Sequence, residues 1–314
     1  MTLPSRMRAW RLHEFGGPEV LRLETAPVPA PEPGEILVRV AAASVNPIDW
    51  KMRSGHLRTV MQLSLPRALG RDCAGTVVAV GDGVSGFAPG QVVAGVANPA
   101  KHGTHAEYAV LPAAQSAPVP SGVALETAAS FCVSGLSAYI PLVEDARVAA
   151  GQRVLVTAGA GGVGGIAIQI ARHLGAEVIA TCSAANREYC LGLGAARAID
   201  YTAEDFASAV SECDVALDAV GGETHLRLQR VLRPGGILAA LNAAPVPSAP
   251  SRADIRIVAA RIQPTTERLA QLFAWAVSGV LRSTVERRYR FEDALDAYRM
   301  SESGHARGKL VLIP

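Results

Sequence analysis

Val154-Leu-Val-Thr-Ala-Gly-Ala-Gly-Gly-Val-Gly-Gly-Ile-Ala-Ile-Gln-Ile-Ala-Arg-His-Leu-Gly-Ala176 is the stretch whose reading decides the fold. It opens with an apolar run of strand type, and Gly159, Gly161 and Gly164 follow it in G-x-G-x-x-G spacing. Val163, Ile166, Ala167, Ile170, Ala171 and Leu174 then recur at offsets of three and four, which is one buried face of a helix. The glycines of such a turn serve different ends. One makes the tight bend, one lets the backbone approach a pyrophosphate, and one lets the helix pack closely on the strand. The unpaired N–H groups and the positive end of the helix then face the phosphates. The bare spacing is also met by glycine-rich turns that hold nothing. Here the preceding strand, the helix and the next strand, Glu177 to Thr181, are all in register and favour a dinucleotide. Ala158, Gly159, Gly161, Gly162, Val163 and Gly164 are the expected contacts of the turn.

Outward from this stretch, apolar strands alternate with helical segments: Ala198 to Asp200, Val215 to Asp218, Ile237 to Leu241 and Ile255 to Ile262. Alternation of this kind makes a parallel sheet covered on both faces. Before about Pro120 the texture differs. Pro and Gly interrupt short runs such as Ile36 to Val40, Gly75 to Val80 and Gln91 to Ala94, and the segment after Thr284 returns to that style with a closing strand at Gly308 to Ile313. The expected architecture is α/β: a doubly wound parallel-sheet cofactor domain at 123–263, inserted between 1–122 and 264–314 of a β-rich domain. The Ala and Pro stretch at 243–250 reads as a loop.

A chain of 314 residues is long enough for two such lobes. Thirty Lys and Arg balance 28 Asp and Glu, leaving no basic surplus for a nucleic-acid partner. Five scattered cysteines without a CxxC pair read as reduced thiols, and no apolar stretch has the length of a signal peptide or a membrane span. These readings predict a cytoplasmic location, no membrane partner and a small-molecule substrate.

The end of the strand after the glycine turn selects the nucleotide. A carboxylate there accepts the ribose hydroxyls of NADH and repels a 2′-phosphate. Ala180-Thr-Cys-Ser-Ala-Ala-Asn-Arg187 contains no acid; Ser183 offers a hydroxyl, Arg187 a planar cation, and Tyr201 an aromatic to close the pocket. Arg187 and Tyr201 are each also compatible with ordinary surface or packing roles. The missing acid favours NADPH.

Several further segments carry a resemblance. They are Ser44-Val-Asn-Pro-Ile-Asp49, Gly70-Arg-Asp-Cys-Ala-Gly75, Val80-Gly-Asp-Gly-Val-Ser-Gly-Phe-Ala-Pro-Gly90, Ala106-Glu-Tyr108, Ala158-Gly-Ala-Gly-Gly-Val-Gly164, Asp218-Ala-Val-Gly-Gly-Glu223, Arg233-Pro-Gly-Gly236 and Arg307-Gly-Lys309. With them the chain resembles the zinc-independent quinone oxidoreductases of the medium-chain dehydrogenase/reductase superfamily. The resemblance implies an N-terminal GroES-like domain, a Rossmann domain and an NADPH site. The zinc alcohol dehydrogenases are the sharpest rival, but they carry a Cys where this chain has Asn46 and a Gly-His-Glu where it has Gly70-Arg71-Asp72, and the four-cysteine lobe is absent between Gly90 and Tyr108. His102 and His105 have HxxH spacing yet no thiolate or carboxylate pair beside them, so no metal is expected.

Without a metal the acceptor must already be electrophilic, as a quinone or an α,β-unsaturated carbonyl is. The resemblance places Asn46 near the nicotinamide ribose and the substrate, although an Asn before Pro47 is equally a turn former. Asp49, Lys51 and Met52 follow it, with Lys51 as a charge stabiliser. Ser137, Val220, Gly221, Leu241, Asn242 and Lys309 complete the expected cofactor contacts. The expected function is an NADPH-dependent quinone or enone reductase. A cofactor-binding regulatory protein without turnover is the alternative from another class. The resemblance also implies pairing of two copies through the edge of the Rossmann sheet, for which the apolar run Ile255 to Ile262 is a candidate, although a buried strand has the same look.

Overall fold

The computed structural model describes residues 3–59, 61–101, 103–241 and 251–314. In chain order the first part holds β1 (Arg6–Leu12), β2 (Leu21–Pro27), β3 (Glu35–Val45), α1 (Pro47–Arg53), β4 (Arg67–Ala68), β5 (Asp72–Val80), β6 (Val92–Val96), β7 (Tyr108–Pro112), β8 (Ser116–Pro118) and α2 (Leu125–Tyr139). The middle holds β9 (Arg153–Val156), α3 (Gly162–His173), β10 (Glu177–Cys182), α4 (Arg187–Leu193), β11 (Arg197–Asp200), α5 (Phe206–Ala209), β12 (Cys213–Asp218), α6 (Glu223–Val231), β13 (Leu232–Ala240) and β14 (Arg256–Ala259). The last part holds α7 (Thr266–Val277), β15 (Val285–Arg290), α8 (Ala294–Glu302) and β16 (Lys309–Ile313). The chain divides into two compact units, one of residues 1–133 with 264–314, the other of residues 134–263.

The second unit is a six-stranded sheet in the order β11-β10-β9-β12-β13-β14, with every pairing parallel. Numbered from β9, that order is 3-2-1-4-5-6, the doubly wound Rossmann arrangement, whose strand order reverses between β9 and β12. Val154, Leu155 and Val156 have no exposed surface, as a central strand covered on both faces requires. The strand expected from Ile237 begins five residues earlier, at Leu232. The register jumps between Cys213 and Val215, and Gly235, at φ 77°, lets Arg233-Pro-Gly-Gly236 bulge without ending the pairing. The apolar run expected as a strand at Ile255 to Ile262 holds the shorter β14, Arg256–Ala259, which among the described residues pairs with β13 alone and is the edge of the sheet.

The first unit is mainly β. A three-stranded sheet, β2-β1-β4, accompanies a seven-stranded one ordered β15-β16-β3-β5-β6-β8, with β7 on β3. Its core joins distant segments: Trp10, Leu12, Leu69, Phe291 and Tyr298 pack together, and the Trp10 indole donates to the Phe291 carbonyl at 2.7 Å. The returning strand β16 runs antiparallel to β3, pairing Leu310 with Val45 and Val311 with Ser44. That pairing lays Lys309 beside Asn46, 263 positions earlier in the chain.

Candidate functional site

In the second unit the glycine turn leaves the C-terminal end of β9 at the point where the strand order reverses. Gly161 caps α3, and the Gly161 N–H donates to the Ala158 carbonyl at 2.9 Å, closing a turn in which Ala158 takes φ 49°. A β-carbon on Gly164 would lie 2.1 Å from that same carbonyl oxygen, so this position has no room for any side chain. One on Gly159 would press on Ala180 of β10 at 2.8 Å. One on Gly161 would meet only Ala158 O, at 3.2 Å. The first and third glycines thus serve close packing, while the second stands at the start of the helix, where N–H groups lack helical partners. Thr157 fastens the reversal point: its Oγ1 donates to Leu217 O at 3.1 Å and accepts the Ala219 N–H at 2.9 Å, tying β9 to β12.

Ser183, Tyr201, Val220, Gly221 and Leu241 follow strand ends of the same sheet. Ser183 follows β10 and its Oγ accepts from the Asn186 amide at 3.0 Å; Arg187 opens α4 on the surface; Tyr201 follows β11 and is 56% exposed. At the end of β12, Asp218 Oδ1 accepts the N–H groups of Val220 (3.0 Å) and Gly221 (2.8 Å), which turns the exposed Val220 outward. Asp218 Oδ2 receives His225 Nδ1 at 3.0 Å. Leu241 follows β13 and its N–H donates to Asp218 O at 3.0 Å. Ser137 is buried on α2. Asn242 and His102 lie outside the described residues, as does the loop expected at 243–250.

In the first unit, Asn46 lies at the centre of a buried polar cluster. It precedes α1, and its own N–H donates to the Asp49 carboxylate at 2.7 Å. Its amide turns away from the helix: Nδ2 donates to Asp72 Oδ1 at 2.9 Å and to Ser44 Oγ at 3.2 Å, and Oδ1 accepts Lys309 Nζ at 2.6 Å. Ser44 Oγ donates to Asp72 Oδ1 at 2.6 Å and the Val133 N–H to Asp72 Oδ2 at 2.8 Å. His105 bridges the Ser44 carbonyl and the Tyr298 hydroxyl. Asn46 is 1% exposed, Asp49 and Asp72 are fully buried, and Lys309 is 3% exposed. Lys309, expected among the nucleotide contacts, therefore directs its ammonium at Asn46 and the Val45 carbonyl. Lys51 is half-buried with its ammonium 5.6 Å from the Trp50 ring, and Met52 packs into the core.

The charges of this cluster are held against the cost of burial. Burial pushes the Asp49 carboxyl up to about 7, and Asp72 adds to that push, while the Asn46 N–H, Lys309 and Arg71 oppose it. Burial likewise raises Asp72 and lowers Lys309, each checked by the other's charge. His105 is pushed down to about 4 by burial, so it is neutral at physiological pH. Lys51 is lowered by burial alone. Asp49 Oδ1 and Arg71 Nη1 are buried without a hydrogen-bond partner.

The residues at these positions do not fit zinc. The Asn46 carbonyl oxygen already faces an ammonium, and both Asp72 oxygens receive N–H or O–H donors. Among the described residues no group of three or more His, Cys, Asp or Glu is placed to hold a metal. Sequence reasoning alone does not single out Ser44, Asp72, Thr157, Asp218, Tyr298 or the hydrogen bonds of His105. Asp72 and Asp218 do stand inside the segments that carry the resemblance; the other partners are brought in by strand pairing that no local pattern announces.

Known proteins share this build. A family model described as the alcohol dehydrogenase GroES-like domain matches residues 32–121, and one described as zinc-binding dehydrogenase matches residues 193–312. The 2-methylene-furan-3-one reductase of Solanum lycopersicum is 33% identical across 100% of this chain and 81% of its own length. The NADPH-dependent alkenal/one oxidoreductase, chloroplastic, of Arabidopsis thaliana is also 33% identical, with the same shares covered. The structure of the quinone oxidoreductase from Coxiella burnetii superposes with a TM-score of 0.92 at 32% identity, over 98% of this chain and 99% of that one.

Proposed function

The chain belongs to the quinone oxidoreductase family of the medium-chain dehydrogenase/reductase superfamily, and from that premise we propose that it transfers hydride from NADPH to a carbon of a quinone or an α,β-unsaturated carbonyl, without zinc. It is an NADPH-dependent oxidoreductase of the quinone/enone class. The observation that carries the reading is the glycine cradle at the sheet's reversal point, where Gly164 leaves no space for a side chain over the Ala158 carbonyl.

NADPH when bound supplies the hydride; the protein binds, orients and stabilises charge. In this proposal the turn from Ala158 to Gly164 holds the pyrophosphate, and Ser183, Arg187 and Tyr201 hold the adenosine ribose with its 2′-phosphate. Ser137, Val220, Gly221 and Leu241 border the nicotinamide. A conjugated acceptor that gains hydride at carbon is left with a delocalised oxyanion, which needs hydrogen-bond donors and a proton from water. The Asn46 donors are already taken by Asp72 and Ser44, so its part is that of a fixed, pre-oriented amide, with Lys309 as its positioning residue. Lys51 is the partly exposed cation of α1 and the proposed charge stabiliser, and Asp49 holds the Asn46 backbone N–H at the start of that helix.

No helix among the described residues is long and apolar enough to cross a membrane. Five cysteines, all buried and unpaired, support a reducing cytoplasm. Among the described residues β14 is an edge strand of the sheet, which supports a homodimer.

The test is to mix the protein with NADPH and a panel of quinones and enones and to follow the nicotinamide absorbance. Oxidation that depends on acceptor supports the reading. Bound cofactor with no oxidation across the panel supports a regulatory module instead.

A further inference from the structure

We propose that Asp200 sets how strictly the protein discriminates NADPH from NADH, by standing in, from the neighbouring strand, for the carboxylate missing at the end of β10. The proposal rests on the nucleotide reading of the second unit given above.

The carboxylate that reads a ribose 2′-hydroxyl normally belongs to the strand following the glycine turn. Here that strand is β10, and no acid occurs between Ala180 and Arg187. The structure supplies one from the side. β11 runs parallel to β10, their last paired residues are Cys182 and Asp200, and the Tyr201 N–H continues the ladder to the Cys182 carbonyl at 3.1 Å. Asp200 therefore stands level with the end of β10, one strand outward.

Its side chain is held in place. Asp200 Oδ1 accepts the Thr202 N–H at 3.0 Å and the Thr202 hydroxyl at 2.8 Å, so the carboxylate does not swing freely into solvent. The Thr202 hydroxyl and N–H hold the Asp200 carboxyl below the usual carboxylate range, and the Arg187 charge and the Ala184 N–H add to that. Ala184 and Arg187 belong to the very segment that would meet the adenosine ribose. A fixed anion thus stands level with the end of β10, the strand that leads into the segment carrying the cation proposed for the 2′-phosphate.

The consequence follows from elementary electrostatics. A 2′-phosphate must draw Arg187 from the field of Asp200 and approach a like charge, whereas a 2′-hydroxyl finds an acceptor. Preference for NADPH is then blunted by the build of the site rather than absent or complete. Replacing Asp200 by Asn removes the charge but keeps an oxygen for Thr202, so the turn retains its bonds.

The test measures dissociation constants of NADPH and NADH by nicotinamide fluorescence, with no acceptor present, for wild-type protein and Asp200→Asn. The expected result is tighter NADPH and weaker NADH, with the NADH-to-NADPH ratio of constants rising by roughly tenfold, the scale of one charged hydrogen-bonding partner. A ratio within twofold of wild type, or both constants shifting by the same factor, would overturn the proposal while leaving the reductase reading intact. A wild-type protein that binds neither nucleotide would overturn both.

Discussion

Lys309 Nζ stands 2.6 Å from Asn46 Oδ1 while the other end of the same amide stands 2.9 Å from Asp72 Oδ1. One amide is thereby clamped between a buried cation and a buried anion. Reversing it would set its NH2 against the ammonium and its oxygen against the carboxylate, so the orientation is fixed by charge. A zinc ligand set would need anionic or lone-pair donors converging on one point; this cluster instead interleaves donors and acceptors.

Lys309→Met leaves the Asp72 charge buried without its cation, and the expected loss of unfolding free energy is about 3 kcal/mol or more. Adding Asp72→Asn to that variant removes the stranded charge. The double variant should therefore lose less than the sum of the two single losses. Urea melts of all four proteins check it; strict additivity would show that the two groups do not communicate.

Asp49 carries a pH prediction. Its pKa is raised from 3.8 to about 7 in the folded protein. The folded state then holds a proton that the unfolded chain releases, so stability from this group is present at low pH and is lost as pH climbs between those two values. Asp49→Asn cannot ionise and still offers Asn46 an acceptor. Its unfolding free energy relative to wild type should rise with pH, by about 1 kcal/mol per unit up to neutrality and then level off. Denaturant melts at about pH 5, 6, 7 and 8 decide it, and a pH-independent difference would refute the assignment.

Gly164→Ala forces a methyl group to 2.1 Å from the Ala158 carbonyl oxygen unless the turn moves. The expected cost is about 1 to 3 kcal/mol of stability, as for other overpacked sites. NADPH affinity should fall with it, because the displaced backbone is the proposed pyrophosphate cradle. Thermal melts and fluorescence titration read the two effects separately. Gly161→Ala, whose β-carbon meets only one atom at 3.2 Å, should be much milder in stability.

Arg187→Ala should weaken NADPH by at least roughly tenfold and NADH by far less, since a charged hydrogen bond is worth about 1.5 to 3 kcal/mol. Equal losses for the two nucleotides, measured by titration, would remove Arg187 from the role of phosphate partner.

The two halves of the molecule are legible in the sequence to different degrees. The Rossmann sheet can be read because each of its strands is a local apolar run and the first and third glycines of the turn answer a local steric demand. Even there, the start of β13 is hidden, since a Pro-Gly-Gly segment reads as a break when a bulge lets it stay paired. The cluster around Asn46 is only half legible. Asn46, Asp49 and Asp72 stand within recognisable segments, but that Asn46 turns its amide to Lys309, and that His105 meets Tyr298, depends on the antiparallel return of β16 and on helix packing. Asp200 is invisible to a search for the acid along β10, because parallel pairing delivers it sideways.

The closing of β3 by β16 has a further consequence for how the molecule is made. Residues 134–263 leave the ribosome as one uninterrupted block, whereas the first unit waits for segments on both sides of that block. Until Lys309 emerges, the nascent chain carries Asn46 and Asp72 without the ammonium that balances them. Vectorial synthesis thus withholds the last strand of the first unit until every residue of the inserted unit has been made.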